Sequence, residues 1–574
     1  MTRQRIICVS AIALASLIVF AATARSPGLN NFDEGVYAEV AREMAVTGDP
    51  LTPRLNGVPY LEKPPLVYWL CAATLRSVGQ TVLAVRLPVV LFGVLGVVAV
   101  FYAVLLWNDE RAAVFASVSL ASSFGYAIYA RTLLLDIPLT ALFAAAMLTF
   151  FAAWRYPRRA GPLMLATVGL LALAVIVKGL MGLAVPALAL LIAAIFSREY
   201  RGFVKTMPWV RMAVVVVAIA APWHVLVELK YPGAMEHYLF GGQVLRFLMT
   251  RKLDVATLGV GEYLAVTAVW FLPWSFFLPP ALQTAVRDSR AGVPERRLLI
   301  GAMAWTGTTV GFFAVSPARL EYYSLPALPG MAIIVGYWWS RATFPSRAAR
   351  NSFISILGLA ALGWLFALVY VPARFVEHLY ALLNEHYRNL AAVAGPAIIH
   401  PGIRVPVYLV WAYLTSLSAA GVIGIIAQHR GRKEIAFAAV VIPALVSIWI
   451  AHRGLAMAHP FMSVAPLARE TAALTSDGDR VAVMGRYEDV SPVGFYLKRK
   501  VIVVDGFDGD LRFGRKTDPA SNREFIDYAQ LRKLWASRRR IFLLVPNDGS
   551  DPSPPSPAWR LAHEPSGSLY SNRP

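Results

Sequence analysis

The run Ile6–Ala24 (IICVSAIALASLIVFAATA) and the segment that follows it, Asn31-Phe32-Asp33-Glu34-Gly35-Val36-Tyr37-Ala38-Glu39, decide how the chain is read. The run is apolar and long enough to cross a hydrocarbon core of ~30 Å. Arg3 and Arg5 precede it as the charged end of a signal peptide would. No convincing cleavage site stands before Asp33, however, so the run is read as a membrane anchor. Beyond it lie two adjacent carboxylates, and one short loop later a second charged pair, Glu62-Lys63. Carboxylates are costly to desolvate at a bilayer surface, so a pair held at the mouth of a helix bundle points to function. The plainer alternative is that Asn31 or Asp33 caps a helix running to about Thr47.

The rest of the chain repeats the first run. Of 574 residues, 57% are hydrophobic and 15% charged, and mean hydropathy is +0.56. Apolar windows of ~20 residues recur, which makes this a polytopic α-helical membrane protein. About thirteen spans are expected, at roughly 5–24, 84–107, 112–130, 137–154, 162–177, 180–196, 211–228, 263–284, 298–316, 322–339, 351–371, 404–427 and 435–451. Every second connection is short and basic, with Arg155/Arg158/Arg159, Arg198/Arg201/Lys205, Arg287/Arg290/Arg296/Arg297, Arg341/Arg347/Arg350 and Arg430/Arg432/Lys433. With Arg3 and Arg5 these form one set of cytoplasmic loops by the positive-inside rule. The formal charge of +20 thus reports mainly orientation, and nucleic-acid binding loses its support. Cys8 and Cys71 lie far apart and suggest neither a disulfide framework nor a metal cluster.

The opposite connections hold everything chemically unusual: the segment 25–83, Asp136, Lys178, the loop 229–262 with Arg246, and Arg319 through Tyr323. The loop 373–403 and everything after about residue 452 fall on that side too. After Asp33-Glu34, Tyr37, Val40, Ala41 and Met44 share one helical face while Glu39, Arg42 and Glu43 share the other, which predicts a helix lying in the interface. Pro64-Pro65 can start a second such helix, anchored by Tyr68 and Trp69. The two would frame a cavity edged by Asp33 and Glu62-Lys63. Residues 1–454 are read as the membrane domain and 455–574 as an exposed α/β domain. Its expected strands are Arg480–Met484, Val501–Val504 and Ile541–Val545, with a helix over Asn522–Ser537 and a mobile Pro/Ser-rich tail from Asp548.

The run Asp33 to Met44, with Tyr60-Leu61-Glu62-Lys63-Pro64, Leu135-Asp136-Ile137-Pro138, Val177-Lys178-Gly179, Arg319-Leu320-Glu321-Tyr322-Tyr323 and Leu511-Arg512-Phe513-Gly514, resembles the motif set of bacterial C-type-fold (GT-C) membrane glycosyltransferases. It is most similar to the branch of the lipid A 4-amino-4-deoxy-L-arabinose transferases, related to protein O-mannosyltransferases. The resemblance implies inverting transfer of a sugar from undecaprenyl phosphate on the periplasmic face of the inner membrane. It favours aminoarabinose and a lipid A phosphate, with the polymyxin resistance that this modification brings. Hexose or mannose transfer to another lipid, glycan or protein is the alternative, and a lipid-linked sugar transporter the alternative of another class. No internal repeat supports the transporter.

By the same resemblance Asp33 and Asp136 are the catalytic pair, and Glu34, Tyr37, Tyr60 and Lys178 line the substrate cavity. A departing lipid phosphate gains charge and needs cations nearby, for which Lys63, Arg246 and Arg319 are candidates, with the Tyr323 hydroxyl. Lys178 has a structural alternative, neutralising Asp136, and Asp136 another, capping its helix. Glu62 is the candidate ligand for a divalent ion, although no His/Asp/Glu cluster at ligand spacing adjoins it. Two positions depart from the pattern. Val36 stands where Arg is usual, and Gln243 where Glu-His is expected, which argues against a Glu62–His metal site. No other cofactor is expected. The chain is expected to be a monomer among membrane lipids.

Overall fold

The computed structural model describes residues 3–244, 257–370, 407–547 and 553–574. Among them nine helices are long and apolar enough to cross a membrane, or ten if Val260–Trp270 and Trp274–Ala291, bent by 100° at their break, form one span. The membrane half opens with α1 (Arg3–Ala24), α2 (Asp33–Thr47), α3 (Leu66–Val78) and α4 (Val82–Leu105). Next come α5 (Glu110–Ser122), α6 (Phe124–Tyr129), α7 (Asp136–Arg155) and α8 (Ala160–Lys178), then α9 (Met181–Phe196), α10 (Arg198–Lys205) and α11 (Trp209–Lys230). Besides 263–284, which the 100° bend breaks, three expected spans are shorter or broken. The span 112–130 divides into α5 and α6 at extended Ser123, 180–196 is the 16-residue α9, and 322–339 starts as a 3-10 turn, Glu321–Ala327, containing Pro326. Proline removes a donor and tightens or breaks the helix there.

Ion pairs and backbone contacts gather the basic connections on one face. Arg5 meets Glu110, Arg296 and Arg297 meet Glu199, Arg341 meets Glu295, and Lys433 donates to the Ser340 carbonyl. The opposite face carries residues 25–83 and is called the first-loop face below. Between the faces α7 forms the centre, packed on α4 and α8, with 78% of its apolar window buried against 17% for α1.

On the first-loop face α2 has the predicted length, but its surroundings differ from those expected of an interfacial helix. Both faces are buried, Glu39, Arg42 and Glu43 included. Arg42 donates twice to Glu39, at 2.7 and 2.6 Å, and the Gly57 amide donates to Glu43 at 2.9 Å. The α/β domain, through Tyr487–Val490 and Pro492–Leu497, covers the side that an isolated amphipathic helix would show to water. A carboxylate with a bidentate partner can be buried where a lone one cannot. A two-stranded hairpin, β1 (Arg54–Leu55) with β2 (Val58–Pro59), leads on to α3.

The last membrane helix, Lys433–Met462, leads into the helix Ala465–Leu474 and a six-stranded sheet of order β5-β4-β3-β6-β8-β7. Strands β3 (Arg480–Met484), β4 (Ile502–Val504), β5 (Phe525–Ile526) and β6 (Ile541–Pro546) run parallel. Alternation decides its two faces. Val481, Val483, Val503 and Phe542 join the core shared with the membrane half. Ala482, Met484, Ile502 and Leu543 pack under the helix Tyr528–Trp535. Two expectations are corrected here. Asn522–Ser537 is not one helix, because a 3-10 turn and β5 precede Asp527, which forms a capping box with Gln530. The tail expected to be mobile ends in β7 (Trp559–Glu564) and β8 (Gly567–Ser571), an antiparallel pair bonded to β6. The apolar positions Leu561 and Leu569 are too sparse to mark strands beside so many Pro and Ser.

Candidate functional site

Asp33 opens α2 without capping it. The N-cap residue is Phe32, and no side chain caps the helix. The carboxylate instead accepts hydrogen bonds from the Tyr37 hydroxyl on Oδ1 at 3.0 Å and from the Tyr322 hydroxyl on Oδ2 at 3.2 Å. Tyr37 sits one turn on, so the helix itself sets that contact. Phe32 takes φ 60°, which strains a residue with a Cβ. The α/β domain holds it there, for the Phe32 amide donates to the Glu488 carbonyl and the Ser491 hydroxyl donates to the Phe32 carbonyl.

Asp136 also heads its helix without capping it. Lys178, at the last turn of α8, donates to Asp136 Oδ1 at 2.5 Å, and its ammonium lies 5.4 and 4.9 Å from the ring centres of Tyr322 and Tyr323. The structural alternative for Lys178 and a place in the cavity therefore coexist. Lys63, Asp136, Lys178, Gln243 and Tyr323 line a cleft of about 60 Å³. Two cations and a phenol thus converge beside the Asp33–Tyr322 contact. Arg319 is adjacent but engaged elsewhere. It donates to the Leu258 carbonyl at 2.6 Å and to the Ser316 carbonyl, so in this structure it frames the cleft rather than facing it. Arg246 lies outside the described residues.

The remaining candidates sort by partner. Glu34 turns away from Asp33 into a bidentate pair with Arg86, at 2.8 and 2.9 Å, and also accepts from the Leu133 and Asn30 amides. Burial raises its pKa, but Arg86 and the amide donors outweigh that and hold it below the usual value. Tyr60 is buried with its hydroxyl 3.5 Å from Asp510. Glu62 accepts from, or donates to, His237 Nε2 at 2.5 Å, and the His237 ring stacks on Phe513 at 4.4 Å. A histidine thus reaches Glu62 from a position six residues before Gln243 and 175 residues from Glu62. Among the described residues no three His, Cys, Asp or Glu side chains form a metal-binding group. Among the described residues Glu62 and His237 offer two donors in direct contact, fewer than the oxygen-rich set that holds a divalent ion.

The sequence pattern missed Glu488 and Asp510. They stand on the loops at the carboxyl ends of β3 and β4, the edge where open parallel sheets place ligand sites. The Asp510 amide donates to Glu488 Oε1 at 2.7 Å, and Oε2 is buried with no hydrogen-bond partner among the described residues. Burial first, then the charge of Asp510, pushes the Glu488 carboxyl up to about 7. A raised carboxyl pKa favours folding below its unfolded value of 4.5 and loses that contribution as pH rises toward 7. The melting temperature of Glu488→Gln should match wild type near pH 4.5 and exceed it increasingly through pH 7, by an amount equivalent to about 3 kcal/mol at most. A pH-independent difference would refute the raised pKa.

The family model described as dolichyl-phosphate-mannose-protein mannosyltransferase matches residues 62–225. The undecaprenyl phosphate-alpha-4-amino-4-deoxy-L-arabinose arabinosyl transferase of Aeromonas salmonicida is 30% identical over 314 residues, 53% of this chain and 54% of that protein. Its counterpart in Pectobacterium carotovorum is 30% identical over 315 residues, 54% of each. The chain thus spans about half the length of the curated relatives it matches. The crystal structure of ArnT from Cupriavidus metallidurans bound to undecaprenyl phosphate superposes with a TM-score of 0.79 at 23% identity, covering 98% of both chains. The archaeal oligosaccharyltransferase AglB of Archaeoglobus fulgidus gives 0.50 at 12% identity, over 95% of this chain and 69% of that one. A multi-pass chain that shares sequence with the aminoarabinose transferases over half its length and overall architecture over nearly all of it has the C-type membrane glycosyltransferase fold and resembles their branch.

Proposed function

We propose that the protein transfers 4-amino-4-deoxy-L-arabinose, with inversion, from undecaprenyl phosphate to a phosphate of lipid A. The first-loop face and the α/β domain would lie in the periplasm of a bacterial inner membrane. The observation that carries the reading is the cleft lined by Lys63, Asp136, Lys178 and Tyr323, which Tyr322 links to Asp33: its ring lies 5.4 Å from the Lys178 ammonium and its hydroxyl donates to the Asp33 carboxylate. The acceptor phosphate oxygen attacks the anomeric carbon from the side opposite the donor oxygen. The bond to the donor phosphate breaks, and undecaprenyl phosphate leaves with the electron pair. Lys63 and the Tyr323 hydroxyl meet the charge growing on that leaving group. A phosphate acceptor needs no base, so Asp33, oriented by two hydroxyls, faces the positive charge developing on the sugar.

An apolar chain on a phosphate in this cleft has somewhere to go. The seam of α7 and α9 continues from Leu139 and Met181 in the cleft to Met147 and Leu183, which line an apolar cavity of about 590 Å³ with Phe150, Leu190 and Trp305. Lys63→Ala should raise the KM for the lipid-phosphate donor by about tenfold or more, measured with purified enzyme. Unchanged donor affinity and rate would remove Lys63 from the phosphate site. Mass spectrometry of lipid A and envelope glycans from a deletion strain tests the whole reading. Loss of the aminoarabinose increment, restored by the gene, upholds it. Loss of a hexose from another glycan instead would move the reading to hexosyl transfer.

A further inference from the structure

Arg131 sits on the first-loop face, two residues beyond α6, and is only 3% exposed. A buried guanidinium normally meets a carboxylate or several carbonyls. Here Nη1 contacts His452 Nδ1 at 2.5 Å, while Nε and Nη2 are buried with no hydrogen-bond partner among the described residues. Among the described residues the carboxylate whose charge acts on it, Glu34, is already held by Arg86, and Arg86 repels Arg131. Burial and that repulsion lower the Arg131 pKa to about 10, which leaves it charged at neutral pH.

The surroundings extend this cation toward the membrane. His452 belongs to Lys433–Met462, which packs against α6, and it is partly exposed at their seam. Because Arg131 donates to Nδ1, the neutral ring carries its proton on Nε2 and offers it as a donor. Next to it Arg453 is exposed, its guanidinium 5.9 Å from the ring of Trp449, which is 42% exposed. A tryptophan and an arginine side by side on a lipid-facing helix mark the headgroup level. Arg131 is also tied to the reaction site. Leu133 donates to Glu34 beside Asp33, and the Tyr129 ring packs on Tyr322 at 6.1 Å.

We propose that Arg131, His452 and Arg453 bind the phosphate of an anionic lipid entering from the bilayer between α6 and the helix Lys433–Met462, at a site separate from the donor cleft. The phosphate supplies the anion that Arg131 lacks, accepts from its Nε or Nη2 and from His452 Nε2, and meets Arg453 at the rim. Two lipids carry that chemistry, the acceptor lipid A and a bilayer phospholipid. The choice of lipid A as a probe rests on the proposed function, whereas the site itself does not.

The test uses the full-length protein in phosphatidylcholine nanodiscs, with saturating undecaprenyl phosphate filling the donor cleft. Bis-phosphorylated lipid A, dephosphorylated lipid A and phosphatidylglycerol are titrated and read by native mass spectrometry. Arg131→Gln should weaken binding of the phosphate-bearing lipid by about tenfold or more. Arg453→Gln, an exposed change that leaves the core intact, should weaken it by about threefold. A loss confined to lipid A identifies an acceptor site, and a loss that includes phosphatidylglycerol identifies a bilayer-lipid site. Wild-type affinity in both variants, or equal binding of dephosphorylated lipid A, overturns the proposal. Intact phosphate binding in a protein that transfers no aminoarabinose would instead sink the proposed function and leave this site standing.

Discussion

Asp33→Asn should lower the rate of sugar transfer by about 10³-fold or more while leaving the donor KM within about threefold. Asparagine keeps the shape of the side chain and an oxygen able to accept from one tyrosine, so α2 and its packing should persist. What disappears is the negative charge held between the Tyr37 and Tyr322 hydroxyls. Donor phosphate binding is proposed for Lys63 and Tyr323, which the change does not touch, and this is why KM and kcat should separate. Tyr322→Phe removes one of the two hydroxyls that aim the carboxylate. It should cost about tenfold in kcat and broaden nothing in donor binding. Transfer from purified undecaprenyl-phosphate-linked sugar, followed by mass spectrometry of the product lipid, measures both. A kcat for Asp33→Asn within about tenfold of wild type would make Asp33 an orienting residue and leave the charge stabilisation to another group.

Much of this site is legible in the sequence because its members stand at helix ends. Asp33 and Asp136 open helices, Lys178 closes one and Lys63 stands in the connection just before α3, and the alternation of basic loops assigns all four to one face. The side that each residue presents is not legible. Glu34 follows Asp33 directly, yet the 100° step of a helix sends it to Arg86, and nothing near Arg86 in sequence announces a partner 52 residues away. His237 and Glu488 were missed for a related reason. Their partners Glu62 and Asp510 lie 175 and 22 residues away, and neither position belongs to a pattern with its own spacing rule. The charged side of α2 misleads in the opposite sense. Its period indicates a solvated face, but tertiary contact with the α/β domain overrides that and encloses Glu39, Arg42 and Glu43. The tail after Asp548 reads as mobile because composition registers its prolines and serines, whereas β7 and β8 depend on pairing with a distant β6.

Arg86→Ala is expected to destabilise the protein by about 3–5 kcal/mol, the largest effect of any single change away from the cleft. Arg86 and Glu34 are 3% and 2% exposed, and removal of the guanidinium leaves a carboxylate buried without its counter-charge. The guanidinium does more than neutralise. Nη1 donates to the Ala24 and Pro27 carbonyls at 3.1 and 2.8 Å, and Nη2 to Gly28 at 3.0 Å, so one side chain fixes the connection that delivers Asp33 to the cleft. Lysine cannot reproduce that fork, and Arg86→Lys should recover less than half of the loss. Glu34→Gln with Arg86→Met should cost less than Arg86→Ala alone, because no buried charge is then left unpaired. The pair also sets a direction with pH. Since the Glu34 carboxyl lies below its usual 4.5, its contribution is present above that value and fades as pH falls through the lower folded one. Thermal melting of the full chain in nanodiscs measures each step, and an Arg86→Ala protein that melts as wild type does would exclude the pair as the organiser of the first loop. Because Glu34 and Asp33 are consecutive in α2, loosening one misplaces the other. Transfer should therefore fall in Arg86→Lys at temperatures where the protein remains folded, and that residual defect separates positioning of Asp33 from stability alone.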